Sequence, residues 1–216
     1  MSLLNPVPAG DAVAALLKNS PSLLWRGRES APLRTRSTGF PPLDDLLPGR
    51  GWPVGALTEL LPICPGLGEV SLCVPSIASL CRENRYVAFV APPHIPYAPA
   101  LVNAGLPLRG VVWIECLSDE DARWSAEQLL REGQAGAVLL WSSTDQEQPL
   151  RRLQLAAEAS GALAFVYRST QARHQPSPAA LRIALTSHAH GTRAEVLKAR
   201  GGRPGTVLLP PPILFT

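Results

Sequence analysis

The 216-residue sequence predicts an α/β fold, a mainly parallel sheet flanked by helices with a small antiparallel extension at the C-terminal end. Three observations predict it. Short apolar runs alternate with segments of helical periodicity from residue 56 to residue 167, the order that right-handed crossovers between parallel strands require. A Pro/Gly loop, residues 62–68, separates the first apolar run from a long apolar segment, as in nucleotide-binding strand–loop–helix units. Beyond Leu181 the pattern changes to period-two alternation broken by turn residues, the signature of antiparallel strands.

Composition sets the class. Hydrophobic residues make up 46% and charged residues 17% of the chain, which places it among ordered globular proteins. A chain of this length buries roughly 70% of the surface its unfolded form exposes, enough for a full core. The four cysteines, Cys64, Cys73, Cys81 and Cys116, form no Cys-x-x-Cys pair and read as reduced thiols. The N-terminus lacks a signal-peptide pattern, and no apolar run approaches the ~20 residues of a membrane span. The expectation is a soluble cytoplasmic protein with no membrane contact.

In order, Asp11 caps a short helix carrying Val13, Leu16 and Leu17, which Asn19, Ser20 and Pro21 stop. Residues 23–36 mix apolar anchors with arginines and read as a surface-crossing arm. Residues 56–61 form the opening strand. Val70, Val74, Ile77, Leu80 and Cys81 trace a helical stripe over residues 68–82, kinked or delayed by Pro75. Residues 86–90 form a strand, residues 91–99 a stiff loop with four prolines, and residues 98–103 a short helix closed by Gly105. Residues 111–115 are the third strand and 119–131 the next helix, with Trp124, Leu129 and Leu130 as core. A buried strand at 137–141, a helix at 150–160 and a strand at 162–167 follow. The extension comprises residues 182–186, a turn at 188–191, residues 194–198 and residues 206–209. The organisation is a helix and arm (1–37), a core with a degenerate phosphate loop (38–170), and an antiparallel extension with a basic tail (171–216).

The chemistry centres on that loop. A phosphate loop needs Gly, four residues, then Gly-Lys-Ser/Thr, so that backbone amides cradle phosphates, the lysine reaches the outer phosphates and the hydroxyl holds magnesium. Gly66 and Gly68 are present, but Ile63 stands at the first glycine and Glu69 and Val70 replace Lys and Ser/Thr. A carboxylate about 4 Å from a phosphate charge costs on the order of 4 kcal/mol at an effective dielectric of about 20. The loop reads as a retained fold with nucleotide binding lost; an unrelated tight turn and a working ATP site are the alternatives.

The run Thr38-Gly39-Phe40 through Leu43-Asp44 to Gly49-Arg50-Gly51 and Gly55, leading into this strand and loop, resembles the lead-in of RecA and RadA type ATPases. That resemblance implies a RecA-like fold and two further acidic positions. The metal carboxylate falls near Trp141, Ser142 and Ser143, with no acid until Asp145, and the catalytic carboxylate falls near Pro92 and Pro93. With the lysine also missing, the sequence yields no catalytic residue, no cofactor and no enzyme activity.

With the Leu-Trp-Arg-Gly-Arg-Glu arm (residues 24–29) and the Ala-Pro-Pro-His-Ile-Pro-Tyr-Ala-Pro loop (residues 91–99) in the same chain, the sequence resembles the ImuA family. These are RecA/SulA-like accessory proteins of bacterial translesion DNA synthesis. The resemblance runs from about Leu23 to the end. It implies an SOS-inducible, non-enzymatic component of a mutagenesis complex. The implied partners are an ImuB-type Y-family-like polymerase protein, a C-family error-prone polymerase, RecA and, through the complex, the sliding clamp. The alternative is a SulA-like inhibitor of the cell-division GTPase.

Charge and position supply candidate partner-binding residues. Residues 168–216 hold seven basic side chains against one acid, Glu195, and Lys198, Arg200 and Arg203 in a strand and basic loop suit an acidic protein or weak DNA contact. Deletion from Ala199 onward is expected to abolish partner binding more than it unfolds the core. Trp25, Arg26 and Arg28 in the arm and His94 and Tyr97 in the proline loop complete the set. Trp25 and Trp52, beside arginines in irregular chain, suit either structural packing or base stacking and an interface, whereas Trp113, Trp124 and Trp141 read as packing residues. His188 and His190 could hold a metal, but no third ligand lies nearby.

Overall fold

The computed structural model describes residues 34–211. The expected N-terminal helix and the arm residues Trp25, Arg26 and Arg28 lie outside the described residues. A two-stranded antiparallel clip, β1 (Thr35–Arg36) with β2 (Trp52–Pro53), encloses the six-residue helix α1 (Pro41–Leu46). Local chemistry rather than periodicity makes this helix. Pro41 and Pro42 preset its first turn, and Asp44 accepts from the Thr38 N–H at 2.8 Å and the Ser37 hydroxyl at 2.6 Å. Gly39, at φ +85°, lies under Pro75, whose Cβ would be 2.3 Å from any added Cβ, so the turn requires glycine.

The main sheet follows: β3 (Ala56–Pro62), α2 (Val74–Arg82), β4 (Tyr86–Val90), α3 (Ala98–Asn103), β5 (Val111–Ile114), α4 (Asp119–Glu132), β6 (Ala135–Trp141), α5 (Glu147–Ser160), β7 (Leu163–Tyr167), β8 (Leu181–His188), β9 (Gly191–Ala199) and β10 (Gly205–Leu209). Strand order across the sheet is β10-β9-β8-β3-β7-β6-β4-β5. Strands β3 to β8 run parallel, and β9 and β10 continue the sheet antiparallel beside β8. This is the expected RecA-like α/β architecture. Among the described residues no helix is long and apolar enough to cross a membrane.

Both faces of the sheet are buried, and successive strand residues feed opposite layers. Phe89, Leu139, Phe165 and Ile183 point to the α1–α2 side with Trp52 and Ile77. Val90, Val138, Leu140 and Val166 point to the α4–α5 side with Ala126, Leu130 and Leu153. Helix α4 is set by its ends: the Ser118 hydroxyl accepts from the Asp121 N–H, three acids occupy the first turn, and Gly133 closes it in the left-handed region.

Two readings resolve between alternatives, the start of α2 and the place of Trp52, and two, Trp113 and Trp124, need correction. Helix α2 begins at Val74, after turns, rather than at Gly68, because Pro75 can enter a helix only in its first turn. Trp52 is a fully buried core residue, edge-on to Phe165 at 5.2 Å, since β2 lies over the sheet and not along the surface. Trp113 is exposed because β5 is the edge strand of the sheet among the described residues. Trp124 is 60% exposed: Ala122, Ala126 and Leu130 form the buried stripe of α4, and two residues round a helix from Ala122 is its far side.

Strand β3 also carries a buried charge cluster. Glu59, fully buried, accepts from Arg168 Nη1 at 3.1 Å and the Ser177 hydroxyl at 2.5 Å through Oε1, and from Arg182 Nε at 2.6 Å through Oε2. The remaining guanidinium donors find the carbonyls of Thr144, Ala172 and Gln175 and the Gln175 side chain. One acid therefore ties β3 to β8 and to the chain leaving β7.

Candidate functional site

Six parallel strands bring their carboxyl ends to one edge, where ligands of open α/β sheets bind. The loops after β3, β4, β5 and β6 meet there. Two clefts open between them. One, of about 500 Å³, lies between Ile63, Glu69, Leu117, Asp119 and Trp141. The other, of about 440 Å³, lies between Glu69, Phe89, the proline loop with His94 and Tyr97, and Trp141. Glu69 and Trp141 line both.

The degenerate loop fills its own cradle. Gly66, at φ +83°, and Gly68, at φ +84°, hold the loop in the left-handed turns that point backbone N–H groups inward. The Gly66 N–H donates to Glu69 Oε1 at 3.1 Å. Glu69 is buried, 5% exposed, and its Oε2 has no hydrogen-bond partner among the described residues. An acidic side chain thus takes up one of the loop's own amides.

The positions where the resemblance implies carboxylates hold other residues or no nearby acid. Pro92 and Pro93 follow β4, and Asp145 is exposed beyond β6. Asp119, which sequence reading did not single out, reaches this edge from the start of α4. Its Oδ1 accepts from the Ser143 N–H at 2.9 Å and its Oδ2 pairs with Arg123.

The rim is apolar instead of polar. Ile95 is 73% and Tyr97 68% exposed, and Ile63 and Leu117 are also exposed, each beside one of the clefts. Prolines 92, 93, 96 and 99 keep the bearing loop stiff, so its side chains lose little freedom on contact. Ala91, which opens this loop before Pro92, sits at φ +50°, a left-handed conformation costing about 1–2 kcal/mol for a residue with a Cβ. Its N–H donates to the Ile114 carbonyl at 2.8 Å, which holds the loop exit against that strain.

Beneath the clefts, Trp141 stacks on Tyr167 at 4.4 Å and on Phe89 at 6.2 Å, tiling β7, β6 and β4. Cys73 lies 3.4 Å from the Tyr167 hydroxyl. Burial pushes the Cys73 thiol from 9.0 up to about 12, against the Tyr167 hydrogen bond and helped by the nearby Glu69 charge. The native state therefore holds that proton more tightly than the unfolded chain, and the stability gained is present below pH 9 and lost as pH rises towards 12. At neutral pH Cys64, which is exposed, should react with a thiol reagent in the folded protein, and Cys73 only on unfolding. Mass spectrometry of pulse-labelled protein checks this; equal labelling of both thiols would contradict it.

The candidate residues separate into two regions. His94 and Tyr97 are exposed at the carboxyl edge. Lys198 pairs through β9 with Arg182 near the start of β8, so it lies with Arg200 and Arg203 at the opposite, amino edge. Lys198 donates to the Ser177 carbonyl at 2.8 Å, and burial, with Arg182 and Arg200 nearby, lowers its pKa. The basic turn packs on the lead-in, since a Cβ at Gly202 would meet Pro48 and one at Gly205 would meet Leu46. Deletion from Ala199 would therefore strip a sheet strand and the buried Leu209 from the core; point substitutions are the usable probe. His188 and His190 lie at the β8–β9 turn, ring centroids 5.8 Å apart, and among the described residues no group of three potential metal ligands forms.

No family model matches the chain. The chain is similar to the cell division inhibitor SulA of Photorhabdus laumondii subsp. laumondii, 28% identical over 114 residues, or 53% of this chain and 64% of that relative. The match thus spans less than two thirds of the relative's length.

Proposed function

We propose that this chain is a non-catalytic protein of the SOS response that binds other proteins through the carboxyl edge of a RecA-like sheet. The observation that carries the reading is Glu69: its carboxyl group takes the Gly66 amide that a phosphate would need. Exposed Ile95, Tyr97, Ile63 and Leu117 around it are the kind of side chains that anchor protein interfaces. Similarity to SulA supports the SOS assignment. Within it, the arm, lead-in and proline loop favour an ImuA-type accessory of translesion synthesis. Its partners would be the ImuB-type polymerase protein, the C-family polymerase and RecA, with the clamp reached through the complex. The second reading, an inhibitor of the division GTPase, draws on the same similarity.

Affinity capture of the tagged chain from cells treated with a DNA-damaging agent, read by mass spectrometry, tests both. Polymerase components with RecA support the accessory role, and the division GTPase supports the inhibitor. The inactive-site argument has its own test. Glu69→Lys is expected to give no ATP turnover above background in a phosphate-release assay, because Val70, Trp141 and Pro93 still lack the magnesium and base roles. Measurable hydrolysis by that variant would overturn it.

A further inference from the structure

Within the interface reading just given, we infer that the vacated phosphate position receives a cation, the arginine side chain of a partner polypeptide flanked by apolar residues. Among the described residues Glu69 Oε2 is buried without a partner, and a buried acceptor left unpaired is costly unless something completes it. Glu69 lines both clefts while Oε2 itself is closed to solvent, so a donor entering either one reaches that oxygen only as the side chain turns towards it. An anion is the wrong completion, because the carboxyl group faces the loop where it would sit.

The surroundings select the side chain. Both clefts are walled largely by apolar groups, Ile63 and Leu117 on one and Ile95, Tyr97 and Phe89 on the other. A guanidinium is more weakly hydrated than an ammonium and brings several donors in a planar fork, which suits a narrow apolar mouth with one acidic acceptor. Asp119 also lines the first cleft, its charge already paired with Arg123. The other basic group there, Arg168, is fully used by Glu59, Thr144 and Gln175, so its charge is already matched. The exposed Ile95 and Tyr97 supply contacts for apolar neighbours on the incoming segment.

The test titrates acetyl-Leu-Arg-Leu-amide, and the same peptide with citrulline for arginine, into the ¹⁵N-labelled full chain. The expected result is saturable shifts at the Gly66 and Glu69 amides with the arginine peptide and about tenfold weaker binding of the citrulline peptide. Glu69→Gln should remove that difference, and because the citrulline comparison uses the native protein, it stands even if the variant folds poorly. Equal affinity for the two peptides would overturn the cation assignment while leaving an apolar interface at Ile95 and Tyr97. Absence of saturable shifts at Gly66 would overturn it too; the interface reading itself then rests on the separate capture of partners by the Ile95 and Tyr97 variants.

Discussion

Glu59→Ala should lower the unfolding free energy by about 3–5 kcal/mol, the cost of leaving buried charge uncompensated. The variant strands two guanidinium groups, Arg168 and Arg182, both nearly inaccessible, with no acid between them. Urea unfolding followed by circular dichroism measures it. The control is Glu83→Ala, which removes the partner of Arg36 at the half-exposed surface, where such pairs contribute about 0–1 kcal/mol. A Glu59 effect no larger than the Glu83 effect would mean that water reaches the cluster and that it does not hold β3 to β8.

The largest expected effect on binding is at the proline loop. Replacing Ile95 and Tyr97 together by alanine should weaken capture of the partner by at least about 30-fold, since an interface anchor contributes about 2 kcal/mol or more. The melting temperature should stay within error, because both side chains are exposed and neither belongs to a core cluster. Arg200→Glu with Arg203→Glu, at the other end of the strands, separates the two surfaces. Loss of capture there with none at Ile95 and Tyr97 would move the interface to the basic turn.

Runs such as residues 86–90 and 135–141 could be read as strands because burial on both faces leaves no polar positions in them. The lead-in helix could not, since six residues carry too little periodicity and Asp44 secures it by contacts to Ser37 and Thr38. Tryptophan placement failed for another reason. Element type was right at Trp113 and Trp124, but an edge position and a helix phase are settled by neighbours. The Glu59 cluster left one trace, opposite charges inside the apolar runs around Glu59 and Arg182, yet its partners are 109 and 123 residues away. At the site, the substitution of Glu69 was visible and its hydrogen bond to Gly66 was not. Likewise, His94 and Lys198 could be listed together from sequence, whereas the antiparallel return of β9 puts them at opposite edges.

The position of β3 has a consequence for the order in which the protein is made. Its neighbours in the sheet are β7 and β8, so Ala56 waits for Leu163 and Pro62 for Leu185. A ribosome adds roughly 5–20 residues per second, so the opening strand emerges on the order of 5–20 s before either partner. Through that interval a largely apolar segment has both edges unpaired, which invites chaperone contact or mispairing. Pairings this distant also close slowly. Maturation of the chain would then lag its synthesis, and pulse-chase protease resistance should show the delay directly.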